Sequence, residues 1–175
     1  MTEAPPLVWR RAGPDDARAL SHLGRATFLA TFAVDHPGGP LLDFLDAAHD
    51  AALYRQWLAD PAFHAILGET PLGAPAGYAL LAPPGHPHLS RAGDIELLRI
   101  YLLPPWQGSG EAGALMARVL AAGRAQGAAR MLIAVYQHNS RARRFYERHG
   151  FASIGETTFM VGDVAFPDMV YARGL

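Results

Sequence analysis

Between residues 94 and 150 the sequence passes twice from strand to helix. DIELLRIYLL (94–103) is rich in branched residues and reads as a strand; it runs into WQGSGEAGALMARVL, with glycines at 108, 110 and 113, and then into good helix formers that carry a helix from about Gly110 to Gln126. MLIAVYQ is a continuous apolar run, the mark of a buried strand. NSRARRFYERHG follows as a short helix with Asn139 or Ser140 as cap and Gly150 as terminator. Two such units in succession call for a sheet with helices on its faces, and argue against a sandwich or a bundle.

The flanking sequence fits around that centre. LVWRR (7–11) reads as a short strand, and Gly13-Pro14-Asp15 as a turn and helix start before DARALSHLGRATFLATFA. After DHPGGP, LLDFLDAAHDAALYRQWLAD reads as a second amphipathic helix that stops at Asp60-Pro61. FHAILGE and PAGYALLAP form a predicted antiparallel hairpin about Pro71 to Gly73, and two last strands, FASIGETTFMV and VAFPDMVYARGL, flank the Gly162-Asp163 turn. The expected order is strand, two helices, three strands, helix, strand, helix, two strands. No repeat, low-complexity tract or linker interrupts it, so a single α/β domain over residues 1–175 is expected.

Charge and cysteine usage narrow the chemistry. Fifteen basic and 16 acidic side chains nearly cancel, which gives no electrostatic reason for a nucleic-acid or membrane partner, and the expected ligand is small. The chain has no cysteine, so disulfides, thiolate zinc sites and a thiol nucleophile are excluded together. MTEAPPLVWRRAGPDD lacks the apolar core of a signal peptide and no run of about 18 apolar residues occurs, so a soluble cytoplasmic protein is expected. His86 and His88 lie in a proline loop with no third ligand in sequence, and no metal site is expected there.

Glycine is costly in a helix, so three glycines at a helix start need a reason. Two chemistries fit the letters. Gly108, Gly110 and Gly113 satisfy the GxGxxG turn of a nicotinamide-binding fold, but the acid expected roughly 20 residues later is missing from MLIAVYQHN, and too little chain follows for the remaining βαβ units. The other reading is QxxGxA, Gln107-Gly108-Ser109-Gly110-Glu111-Ala112, a loop for the pyrophosphate of coenzyme A. There a strand leads in and a helix leads out, and free backbone N–H groups converge with the positive helix end.

A second cluster decides between them. In NSRARRFYERHGF the spacing Asn139, Ala142, Phe145-Tyr146, Gly150-Phe151 fixes six positions, and with the glycine loop it resembles the GNAT superfamily of acetyl-CoA-dependent N-acetyltransferases. The resemblance implies a GNAT fold, a mixed, mostly antiparallel, twisted sheet of about seven strands with helices on both faces. It implies acetyl-CoA as cosubstrate and direct attack by a primary amine in a ternary complex, which the missing cysteine also favours. The rival from another class is a non-catalytic acyl-CoA-binding or regulatory module of the same fold.

Site residues carry over position by position. Gln107, Gly108, Ser109, Gly110, Glu111 and Ala112 match the pyrophosphate loop, although the usual basic residue at Gly108 is absent. A bulge around Ile100 and Leu102 is expected to pair its backbone with pantetheine, and a splay between Tyr101 and the AVYQ strand to form the slot. Asn139 matches the asparagine that bonds the pantetheine arm, and is also a helix cap; Arg141, Ala142 and Phe145 join it as cofactor contacts. Tyr146 matches the general acid for the departing thiolate. Glu96, eleven positions before Gln107, matches the general base, with Asp94 as fallback and Arg99 as a solvated neighbour on the same strand. The N-terminal helical pair resembles, more weakly, that of polyamine and diamine acetyltransferases, so a small-molecule amine such as a polyamine is the favoured acceptor. A homodimer through the last strands is a common arrangement of the family.

Overall fold

The computed structural model describes residues 4–175. Strand β1 (Val8–Arg11) is followed by helices α1 (Ala17–Phe32), α2 (Gly38–Ala48) and α3 (Ala51–Ala59), strands β2 (His64–Glu69), β3 (Pro75–Ala82) and β4 (Asp94–Leu102), helix α4 (Glu111–Ala125), strand β5 (Arg130–Tyr136), helix α5 (Ser140–Arg148), and strands β6 (Ala152–Val161) and β7 (Val164–Gly174).

The predicted order holds with one correction. The expected second helix is two: it begins three residues early at Gly38 and breaks between His49 and Ala51. Asp50 is extended, and its carboxylate accepts the Ala52 N–H at 3.0 Å, capping a new helix inside what reads as one amphipathic run.

The seven strands form one sheet in the order β1-β2-β3-β4-β5-β7-β6, antiparallel throughout except for β4 beside β5. Alternation splits the strand side chains between two layers. Ile66, Ala79, Leu81, Ile95 and Leu97 pack under α4 (Leu115, Met116, Val119) and α5 (Tyr146). Ala65, Leu67, Tyr78 and Leu80 pack on the opposite face under α1 (Leu20, Leu23) and α3 (Tyr54). Among the described residues no helix is long and apolar enough to cross a membrane.

Candidate active site

Strand β4 carries one extra residue. Its partners on β3 run Leu81↔Leu97 and then Leu80↔Arg99, which leaves Leu98 unpaired. A bulge exchanges the two faces beyond it. Thus Glu96, between the α4-facing Ile95 and Leu97, shares the α1–α3 face with Arg99 and Tyr101, while Ile100 packs on the α4 side. The bulge therefore precedes Ile100 and Leu102, which stay in register opposite Ala79 and Gly77.

The splay is where the sequence puts it. Strands β4 and β5 pair only from Asp94↔Arg130 to Glu96↔Leu132, after which β4 continues beside β3 while β5 follows β7 to Tyr136↔Asp168. The wedge between them opens into a cavity of about 560 Å³, a volume typical of small-ligand sites. Glu96, Ile100, Tyr101 and Leu102 line it from β4, Gln107 from the loop beyond, and Asn139, Ala142 and Tyr146 from the far side. Thr27, Phe28 and Phe32 of α1 and Trp57 of α3 close the other wall. Helix α2 contributes none of these lining residues; its Phe44 buttresses Phe28 from behind, ring centroids 4.8 Å apart.

The acids on this wall differ in their surroundings. Glu96 is 5% exposed; one oxygen accepts the Gly85 N–H at 2.6 Å and the other lies 3.2 Å from His86 Nε2. His86 had suggested only half of an incomplete metal pair, and nothing in its local sequence announces this contact. Asp94 is held by Arg130 Nε at 2.9 Å and Nη2 at 2.7 Å, a pairing that lowers its pKa and commits it away from the cavity. Arg99 is buried rather than solvated: its guanidinium donates to the Tyr54 hydroxyl and the Ala48 carbonyl and lies about 5 Å from the Tyr54 and Trp57 rings. Asp168, which sequence reasoning passed over, also lines the cavity and is buried.

Burial pushes the Asp168 carboxyl up to about 6, against the opposing influence of His86 and His36. A carboxyl whose folded pKa exceeds its unfolded value stabilises the fold below the unfolded pKa, and that contribution is lost as pH rises through about 6. Asp168→Asn should therefore raise the melting temperature at pH 7.5, by about 2–4 °C for each kcal/mol relieved in a chain of this size, and leave it nearly unchanged at pH 4. Thermal denaturation at the two pH values checks this.

On the opposite side of the wedge, Tyr146 is 7% exposed and packs edge-on against Phe151 at 5.9 Å. Burial first, and Tyr101 second, push its hydroxyl well above the usual pKa. Asn139 caps α5, its side-chain oxygen accepting the Ala142 N–H at 3.1 Å, and also faces the cavity. Gln107 ties the two sides together: it donates to the Leu102 carbonyl at 2.9 Å and accepts from Arg141 at 2.8 Å. Phe145 does not line the cavity; it packs against the α4-side core and the His149 ring.

The glycine loop stands outside the cavity wall, at the N-terminus of α4. Gly108 and Gly110 have φ of +87° and +93°, and among the described residues a Cβ on either would meet nothing within 4 Å. Left-handed backbone explains both glycines; Gly110 at the N-cap offers no side chain, and the first N–H of α4, that of Glu111, has only a long contact of 3.5 Å to Ser109 Oγ. Ser109 Oγ donates to the Trp106 carbonyl at 2.7 Å, and Ala112 packs beside Leu7 and Leu102. The Glu111 carboxylate takes no part in the expected backbone cradle: it accepts the Leu7 N–H at 2.9 Å and the Trp9 indole N–H at 2.8 Å, fastening β1 to α4. Only its backbone remains for an anion.

Comparison with known proteins gives this geometry a setting. The family model described as Acetyltransferase (GNAT) family matches residues 26–151. An uncharacterized N-acetyltransferase of Mycobacterium tuberculosis is 38% identical over 135 residues, 77% of this chain and 82% of that protein, and a Mycobacterium bovis counterpart matches equally. Among solved structures, the PaiA N-acetyltransferase of Thermoplasma acidophilum in complex with coenzyme A superposes with a TM-score of 0.79 at 16% identity, covering 97% of this chain and 99% of that one. Spermidine/spermine N-acetyltransferase SpeG of Vibrio cholerae gives a TM-score of 0.66 at 19% identity, covering 97% and 92%.

Proposed function

The chain belongs to the GNAT family of acetyltransferases and is an acetyl-CoA-dependent N-acetyltransferase, and on that premise we propose that it acetylates the primary amine of a small molecule by direct attack in a ternary complex. One observation carries the reading: the wedge between β4 and β5 has a buried carboxylate, Glu96, on one face of the sheet and a buried phenol, Tyr146, on the other. Acetyl transfer to an ammonium needs a proton removed at nitrogen and negative charge met at sulfur, on opposite sides of the thioester carbon.

In this reading the Gln107–Ala112 loop and the start of α4 hold the pyrophosphate through main-chain N–H groups. Asn139 and the free edge of β4 about Ile100 and Leu102 hold the pantetheine arm, with Tyr101 and Ala142 around it, and Arg141, paired with Gln107, stands at the loop. Glu96, steadied by Gly85 and His86, accepts the ammonium proton directly or through water. As the N–C bond forms and the C–S bond breaks, Tyr146 donates a hydrogen bond to the leaving sulfur. A cationic acceptor, a polyamine above all, is supported by the two buried carboxylates and the phenyl rings on the α1 side. The reading includes a homodimer through the β6 edge of the sheet, checked by sedimentation.

The test is thiol release from acetyl-CoA across polyamines, aminoglycosides, amino acids and N-terminal peptides. The chain contributes no thiol of its own, so the reagent reports only free coenzyme. Release with none of them, despite tight coenzyme binding, would return the chain to the binding-module rival.

The loop assignment makes a further prediction. Valine at Gly110 must hold φ near +93°, with no described residue within 4 Å of its Cβ, a strain of about 1–2 kcal/mol. Gly110→Val should fold but bind acetyl-CoA roughly tenfold more weakly. The rise in melting temperature with acetyl-CoA measures it, and NADH should produce no rise in either protein. Undiminished affinity would make the loop a turn and nothing more.

A further inference from the structure

Among the described residues Asp168 forms no ion pair. It lies on β7 opposite Tyr136 and is 7% exposed, and its Oδ1 is enclosed with no hydrogen-bond partner among the described residues. Two other carboxylates beside these histidines are engaged: Glu96 with Gly85 and His86, and Asp35 with His36 at 2.8 Å. The titratable groups that face Asp168 are His36, from the α1–α2 connection, and His86, from the β3–β4 connection. Neither is within ion-pairing distance of it. Arg99, which also lines the cavity, turns its guanidinium into the α1–α3 layer. An unpaired carboxylate is expensive to bury, and burial is tolerated where a counter-charge arrives.

The walls around it suit a cation. Phe166, two residues earlier on the same face of β7, stacks on the His36 ring at 3.8 Å and meets Tyr136 edge-on at 5.8 Å; Phe32 of α1 meets Tyr136 at 6.0 Å. All of them line the cavity with Asp168. Aromatic faces beside a carboxylate attract an organic ammonium and give nothing to an anion. A bare metal ion would find one carboxylate where it needs several oxygen or nitrogen ligands, and no cluster of three such residues occurs among the described ones.

We propose that Asp168, with the Phe32, Tyr136 and Phe166 rings, forms a subsite for a second ammonium group of the acceptor, so that the acceptor is a diamine or longer polyamine with its reacting amine at Glu96 and its remote ammonium at Asp168. This rests on the reading of the cavity as the acceptor site. It makes Asp168 a specificity residue rather than part of the proton-transfer machinery.

The experiment compares three acceptors of matched length with the wild-type enzyme: an α,ω-diamine, the n-alkylamine with an uncharged end, and the ω-amino acid with an anionic end. The diamine should have a kcat/KM at least about tenfold above the alkylamine, with the amino acid poorest of the three. In Asp168→Asn the preference should vanish through KM, about 10- to 30-fold higher for the diamine and unchanged for the alkylamine, with kcat within about threefold. Calorimetry with the tetramethylated diamine, which cannot be acetylated but keeps both charges, tests the subsite apart from the chemistry. Tight binding to wild type and weak binding to Asp168→Asn supports the subsite even if no amine is acetylated, and that combination would fault the acetyl-transfer reading instead. Equal kcat/KM for diamine and alkylamine, equal binding of the tetramethylated probe to both proteins, or a loss confined to kcat overturns the subsite.

Discussion

Replacing Tyr146 by Phe should lower kcat about 10²-fold while leaving the affinity for acetyl-CoA nearly unchanged. The ring is part of the core between α5 and the sheet, against Phe151 and Phe145, and phenylalanine keeps those contacts. Only the hydroxyl is lost. Because burial raises its pKa far above the roughly 8.5 of a thiol, that hydroxyl stays protonated at every working pH and meets the developing thiolate as a hydrogen-bond donor. The ratio of wild-type to Tyr146→Phe rates should accordingly be flat from about pH 6 to 9. Single-turnover rates with saturating acetyl-CoA isolate the chemical step. Unchanged turnover when that step is rate-limiting would leave Tyr146 a core aromatic with no part in catalysis.

The helix that carries Tyr146 was legible because its signals are local. The cap at Asn139, the terminator at Gly150 and the helical spacing between them are set by neighbours in the chain, and so are the left-handed glycines that open α4. These short-range rules carried the element order, whereas the wedge was expected from the family resemblance. The bulge is a different matter, although its mark is visible: ELLR at 96–99 breaks strand alternation with two adjacent leucines, and the unpaired one is Leu98. That single residue brings Glu96, Arg99 and Tyr101 to one face, which spacing to Gln107 does not reveal.

What stayed hidden depends on contacts distant in sequence. Asp50 looks like one more polar position on an amphipathic helix, and only its capping geometry shows that the helix restarts there. Glu111 sits inside the loop motif, yet its carboxylate answers to Leu7 and Trp9 at the other end of the chain. Asp168 is a lone acid in VAFPDMVYA, an anomaly in a buried strand; its aromatic and histidine neighbours come from α1, the connection after it, β5 and the β3–β4 loop. Periodicity marks such a residue as odd but cannot assemble its surroundings.

The larger effect is expected at Glu96. A free amine attacks and an ammonium does not, and with a pKa near 10.4 an alkylammonium is almost wholly protonated at neutral pH. A carboxylate at the wedge lowers that barrier by accepting the proton in step with the attack. Glu96→Gln keeps the shape of the side chain and an oxygen for the Gly85 N–H, while its amide faces the same His86 ring, so the loop over β4 should stay in place. At pH 7 the variant should lose about 10²- to 10³-fold in kcat/KM. The loss should shrink by roughly tenfold for each pH unit toward the amine's own pKa, because solvent then does what the carboxylate did. Wild type should level off earlier, having no need of alkaline solvent. The measurement is the pH profile of kcat/KM for both proteins with one confirmed acceptor, with the coenzyme saturating. Parallel profiles that differ by less than about threefold would mean that the proton leaves by another route. Asp94 is not that route, because Arg130 holds both of its oxygens away from the cavity; water or Asp168 would have to take it, and Asp168→Asn would then lower kcat where the subsite predicts a change in KM alone.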